Sequence, residues 1–154
     1  MSFVPGSRTP QAYVEPAPMP EQVPKVEELG VTSAPLKSAA FFIGSHCQAY
    51  NEDFMLCKAE NPDPAHCLLE GRRVTRCARD MIEKMRANCN DVWSKHWECL
   101  ERENHEYYRC RDAERPLNKC MFEKLGLRKT IPGSPEDRPQ IHENTKPLYK
   151  RQQH

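Results

Sequence analysis

Eight cysteines at near-constant intervals constrain this chain more than any other feature. They are Cys47, Cys57, Cys67, Cys77, Cys89, Cys99, Cys110 and Cys120, with 9, 9, 9, 11, 9, 10 and 9 residues between successive members. The series divides most simply into two sets of four, each holding two C-x9-C pairs. Ten residues of α-helix rise about 15 Å and turn about 1000°, roughly 80° short of three full turns, so both cysteines of a pair share one side of the helix. Two such helices folded back on each other, with axes about 8–10 Å apart, bring facing Cα atoms near the roughly 5.5 Å that a disulfide prefers. Equal spacing makes the outer cysteines one rung and the inner cysteines another. The expected pairs are Cys47 with Cys77, Cys57 with Cys67, Cys89 with Cys120, and Cys99 with Cys110. The spacing therefore predicts an all-α chain of two disulfide-stapled antiparallel helical hairpins, over residues 33–86 and 87–127.

The residues between the cysteines carry helical periodicity. Leu36, Ala39, Ala40, Ile43, Cys47, Tyr50, Phe54 and Cys57 recur at steps of three or four, the period of one helical face. Ser33 is the expected N-cap, with Pro35 tolerated in the first turn. Asn61-Pro62-Asp63-Pro64 is expected to stop that helix and start the next, Asp63 capping and Pro64 taking the first helical position. Cys67, Val74, Cys77, Met81 and Met85 continue the stripe, and Gly71 weakens the second helix by about 1 kcal/mol relative to Ala. In the second hairpin Asp91 is the expected cap, Trp93, Trp97 and Leu100 the buried side, and Tyr107, Cys110, Leu117, Cys120 and Leu125 the return face, ended by Gly126. The turn at Glu103-Asn104-His105 lacks Pro and Gly, and Pro116 is expected to kink or restart the fourth helix.

Proline and charge mark off two arms. Of 14 prolines, 7 fall in residues 1–35 and 4 in residues 128–154. Stretches such as Pro16-Ala17-Pro18-Met19-Pro20 favour polyproline II over hydrogen-bonded structure, so residues 1–32 and 128–154 are expected to be extended, solvated arms, the second of them basic. Hydrophobic residues make up 38% of the chain, too few for a generous core, and disulfides of roughly 3 kcal/mol each offset the shortfall. The net charge of +1 gives no field to draw the chain onto phosphate backbones, which argues against nucleic acid. No apolar run approaches the roughly 20 residues of a transmembrane helix.

Compartment follows from redox chemistry. Four structural disulfides need an oxidising space. Met1-Ser2-Phe3-Val4-Pro5 opens no basic region followed by an apolar run, the arm is too acidic for a matrix presequence, and no N-x-S/T sequon occurs. An oxidising space reached without a cleavable leader points to the mitochondrial intermembrane space.

The paired C-x9-C helices resemble the CHCH (coiled coil-helix-coiled coil-helix), or twin C-x9-C, family, whose members are imported into that space and oxidised there. The doubled unit narrows the resemblance. Val26-Glu27-Glu28-Leu29, Leu36-Lys37-Ser38-Ala39-Ala40, Glu52-Asp53-Phe54-Met55-Leu56-Cys57, Cys67-Leu68-Leu69-Glu70-Gly71 and Glu123-Lys124-Leu125-Gly126 after Cys120 are similar to accessory subunits of respiratory complex I, over residues 25–127. The resemblance implies a non-catalytic subunit, peripheral to the inner membrane on its intermembrane-space side. Such a subunit clamps neighbours in the membrane arm and supports assembly. Its implied partners are other complex I subunits and, during biogenesis, the oxidative import machinery. It implies no flavin, iron–sulfur cluster, quinone or proton path, so no cofactor and no catalytic or metal-binding residue is expected.

Other readings of individual residues stay beside this one. His46-Cys47 and His66-Cys67 offer metal-ligand types, but zinc motifs space their ligands two to five apart. Trp93 and Trp97, at i and i+4, either anchor a partner or pack within the chain. Phe54, three residues before Cys57, either guides the import oxidoreductase or fills the core. Arg72, Arg73, Arg76 and Arg79 form a basic stripe that either meets anionic headgroups or is simply solvated. An assembly factor, or a thiol- or metal-handling chaperone of the same family, is the alternative function. Labile sulfur chemistry would need vicinal cysteines, and the chain has no C-x-C, C-x-x-C or Cys-Cys. A secreted disulfide scaffold is opposed by the missing signal peptide.

Overall fold

The computed structural model describes residues 14–144. Residues 1–13, with the Met1–Pro5 opening, and residues 145–154 of the basic arm lie outside the described residues. Among the described residues there is no strand, and four α-helices run in chain order: α1 (Ser33–His46), α2 (Gln48–Glu60), α3 (Leu68–Arg102) and α4 (Arg111–Leu125). Short 3-10 turns at Tyr107–Cys110 and Ile141–Glu143 complete the set. The chain is all-α. Helix α2 lies beside the start of α3, α1 runs along it as far as His96, and α4 returns along its second half between Cys89 and Cys99.

Thr32 rather than Ser33 occupies the cap position, and no side chain caps the helix. The first bond of α1 runs from Leu36 N to Thr32 O, so Pro35 gives up an N–H that the helix does not use. Cys47 (φ −102°, ψ 15°) bends the rod between α1 and α2. The ladder continues through the bend, since Cys47 N donates to Ile43 O and Asn51 N to Cys47 O. Asn61 turns extended before Pro62, as a residue preceding proline must, and ends α2.

The start of α3 corrects the sequence expectation. Asp63 Oδ1 accepts from Ala65 N at 3.0 Å and Asn61 Oδ1 from Asp63 N at 3.0 Å, so both side chains organise the loop. The helix itself begins four residues after Pro64, with Cys67 at the cap position.

Asp91 caps nothing. Helical backbone passes through residues 86 and 87 and breaks at Cys89 (φ −133°, ψ 25°), where α3 kinks between two helical segments. Residues 83–91 contain neither Gly nor Pro, so the break at Cys89 is a kink and not a turn. The segment before the kink carries Cys77 and the one after it Cys99, so the two hairpins meet end to end at Cys89. The 11-residue gap between Cys77 and Cys89 has a consequence: twelve steps of about 100° turn the second cysteine pair roughly 120° from the first. That rotation, with the kink at Cys89, lets α1–α2 and α4 occupy different sides of α3.

The turn that lacks Pro and Gly is made by Asn104 (φ 53°) and His105 (φ 60°), residue types that enter the left-handed region more readily than most. His105 N reaches Leu100 O at 2.8 Å, closing α3. Glycine suits this position best, so Asn104→Gly is expected to raise stability by about 0.5–1 kcal/mol, read as a higher urea midpoint at unchanged slope.

Pro116 does not restart the fourth helix, which runs from Arg111 to Leu125 with the proline inside it. Pro116 is the sixth helical residue, so its missing N–H removes a single bond, the one to the Asp112 carbonyl. Gly126, at φ 67°, ends α4 in the left-handed conformation expected of it.

The core gathers Ala39 and Phe42 of α1, Met81, Ile82, Met85, Cys89 and Trp93 of α3, and Leu117 and Met121 of α4. The stripe on the first helix is thus rotated from the expected one: Phe42 is fully buried, while Ala40 and Tyr50 are exposed. Residues 14–32 form no helix, in keeping with their prolines. Leu29 and Val31 at the end of that arm pack on the core.

Candidate functional site

The structure joins Cys47 to Cys77, Cys57 to Cys67, Cys89 to Cys120, and Cys99 to Cys110, with Cα–Cα distances of 5.8, 6.1, 6.0 and 5.9 Å. No cysteine is free. Each bridge links α3, or the residue at its cap, to a facing rod. The bridges fall at both ends of α2 and at both ends of the α3–α4 pair, so each pair of rods is fixed in register.

The other sequence candidates find local roles. His46 Nε2 lies 3.1 Å from Asp80 Oδ2, and His66 Nε2 3.6 Å from Glu60 Oε2. Cys57, His66 and Cys67 bring ligand atoms within 4.8 Å of one another, but both sulfurs belong to one bridge and have no thiolate to offer a metal. Phe54 is half-buried, its ring 3.4 Å from where a Cβ on Gly71 would stand. The glycine thus lets the ring approach the backbone of α3. Trp93 is buried in the core and Trp97 packs against it, which favours the intramolecular reading of the pair. Arg79 leaves the basic stripe: it reaches Glu27 Oε2 at 2.6 Å and donates to Glu28 O at 3.0 Å, tying down the N-terminal arm.

One cluster was missed by sequence reasoning altogether. Lys129, in the segment read as a solvated arm, is 5% exposed, and its Nζ sits 2.5 Å from Glu114 Oε1. Glu114, 1% exposed on α4, takes Arg111 on its other oxygen at 2.5 Å. The Lys129 ammonium also lies 5.1 Å from the Phe41 ring centre and 5.0 Å from that of Tyr107, within cation–π range. Tyr107 donates its hydroxyl to Lys37 O at 2.5 Å. This group ties α1, the turn before α4, α4 and the C-terminal segment together. Burial opposes both charges. Lys129 and Arg111 outweigh it at Glu114, whose pKa stays below the ordinary carboxylate value. At Lys129 burial outweighs Glu114, and its pKa falls below that of a free lysine.

Two histidines flank the cluster. His96 is fully buried on α3, its Nδ1 2.6 Å from Ser38 Oγ, and burial lowers its pKa to about 4. His142, in the C-terminal segment, is 5% exposed and lowered likewise, first by burial. A histidine held neutral in the fold binds its proton only on unfolding. Its stabilisation is complete above the unfolded value near 6.5 and is lost as pH falls toward 4. Stability is therefore expected to drop by about 2–3 kcal/mol between pH 7 and pH 4.5, and His96→Asn is expected to flatten that profile, both read from urea midpoints.

Comparison with known proteins places this arrangement. No protein-family model matches the chain. It is 50% identical over 141 residues to the NADH-ubiquinone oxidoreductase 20.8 kDa subunit of Neurospora crassa, covering 90% of this chain and 77% of that protein. It is 32% identical over 88 residues to the NADH dehydrogenase (ubiquinone) 1 alpha subcomplex subunit 8-B of Arabidopsis thaliana, covering 57% of this chain and 83% of that protein. The plant subunit 8-A matches at 32% over 88 residues, covering 57% of this chain and 82% of its own length.

Proposed function

Because the chain belongs to the family of NADH-ubiquinone oxidoreductase subunits that includes the 20.8 kDa subunit and alpha subcomplex subunit 8, we propose that it is a non-catalytic accessory subunit of mitochondrial complex I. The observation that carries the reading is the 50% identity that extends over 90% of the chain. On this reading the protein lies on the intermembrane-space side of the inner membrane, bound to other complex I subunits of the membrane arm, and supports assembly and stability of the complex.

Physical arguments support each part. The four bridges need an oxidising space, which the matrix does not provide. No helix among the described residues is long and apolar enough to cross a membrane, which suits peripheral attachment. With every cysteine sulfur in a bridge, the chain has no thiolate for exchange or metal transfer, and its cysteines act as staples. The proposed pairing of the eight cysteines also makes the oxidative import machinery its partner during biogenesis.

Native electrophoresis of detergent-solubilised mitochondria tests the proposal. The chain is expected to migrate with complex I, and its depletion to lower the amount of assembled complex. Migration away from that band would favour the free assembly factor or chaperone.

A further inference from the structure

Helix α2 is held at both ends by disulfides, yet none of its 13 residues is buried. Its inner side carries Cys57 and Phe54 against α3. Ala49, Glu52, Leu56 and Ala59 recur at steps of three, four and three, and so line the opposite side, with Met55 alongside. Leu56 is 71% exposed and Met55 63%. Neither contributes to the core, so folding alone gives no reason for two large apolar side chains here. Glu52, Asp53 and Glu60 are exposed beside them, and the one basic residue of the helix, Lys58, lies 5.6 Å from the Phe54 ring centre on the inner side.

Resting on the accessory-subunit reading above, we propose that the outer face of α2 is a docking surface for a helix of a neighbouring complex I subunit, one whose apolar stripe is edged by Lys or Arg. Leu56 and Met55 supply the apolar contact. Ala49 and Ala59, one at each end of the ridge, admit a helix axis at the close end of the usual 8–10 Å range. The acidic flank selects the partner's charge. It repels an anionic bilayer surface, and it repels a second copy of the same face, which would set Glu52 and Asp53 against their own kind. The two bridges hold the face rigid before contact, so little conformational entropy is lost on docking.

A photo-cross-linking residue at position 56 of the full chain, in mitochondria, tests the surface together with Leu56→Asp and a Glu52→Lys, Asp53→Lys double variant. Variants are compared at equal amounts of fully oxidised protein with an unchanged thermal transition, which their exposed positions permit. Expected are a cross-link to one complex I subunit, at least a fivefold fall in the complex-bound fraction for Leu56→Asp, and at least a threefold fall for the charge reversal. Complex-bound fractions within twofold of wild type for both, or cross-links only to a second copy or to lipid, would overturn the surface. The two readings fail separately. A wild-type chain absent from the complex overturns the accessory role and with it this occupant, whereas a wild-type chain present beside unaffected variants overturns the surface alone.

Discussion

Glu114→Ala is expected to destabilise the protein by about 3–5 kcal/mol, a large share of the total stability of a domain this size. The carboxylate is 1% exposed and holds two cations, Lys129 and Arg111. Arg111, with a side chain 20% exposed, has a route to water once released. Lys129, with a side chain 1% exposed, has none. The fold must then keep an unpaired ammonium between Phe41 and Tyr107 or release the C-terminal segment. The second outcome would show as rapid hydrogen exchange over residues 127–144. Pairing Glu114→Leu with Lys129→Met removes both charges and is expected to recover most of the loss, because apolar side chains of similar volume replace buried ion pairs at little cost. A chemical denaturation series on the single and double variants reads both effects. A single variant within about 1 kcal/mol of wild type would mean that the segment is not held by this pair.

The second large effect concerns the Cys89–Cys120 bridge. Its partners are 31 residues apart, and Cys89 is 3% exposed in the core. Replacing both cysteines by alanine is expected to cost about 3–4 kcal/mol, mostly through the freedom regained by the unfolded chain. The same change at Cys57 and Cys67 should cost less and act locally. Their separation is 10 residues, and the α2 helix that they tether buries no side chain. Equal losses in thermal transition for the two pairs would contradict the view that α3 and α4 form the cooperative core while α2 is a stapled outer face.

Cysteine spacing and helical periodicity made the rods legible in the sequence, because both depend only on local geometry. Where they misled, a longer-range effect intervened. Nothing in residues 83–91 announces that the two hairpins meet at a kink without an intervening loop, since that stretch carries neither Gly nor Pro and the break falls at Cys89. Pro116 looked disruptive because its cost was weighed alone, without Leu117, Met121 and the Cys120 bridge that hold α4 in place. The buried polar cluster did leave a trace. Glu114 shares a face with Leu117 and Met121, His96 with Trp93 and Leu100, and Ser38 with Pro35 and Phe42, each at steps of three and four. A charged or polar residue on an apolar stripe is the sign of a buried partner, but the buried partner of Glu114, Lys129, lies 15 residues away in a segment whose charge suggested solvent. The outer face of α2 left no such trace: Met55 and Leu56 lie off the apolar stripe, and only the fold shows them facing out.

Digestion of the oxidised protein without reduction, followed by mass mapping of the linked peptides, tests most directly whether sulfur bridges define this architecture. The expected result is four linkages, Cys47–Cys77, Cys57–Cys67, Cys89–Cys120 and Cys99–Cys110, with no alkylatable thiol. A link between the two sets of four cysteines, or two or more free thiols in protein recovered from the assembled complex, would contradict it.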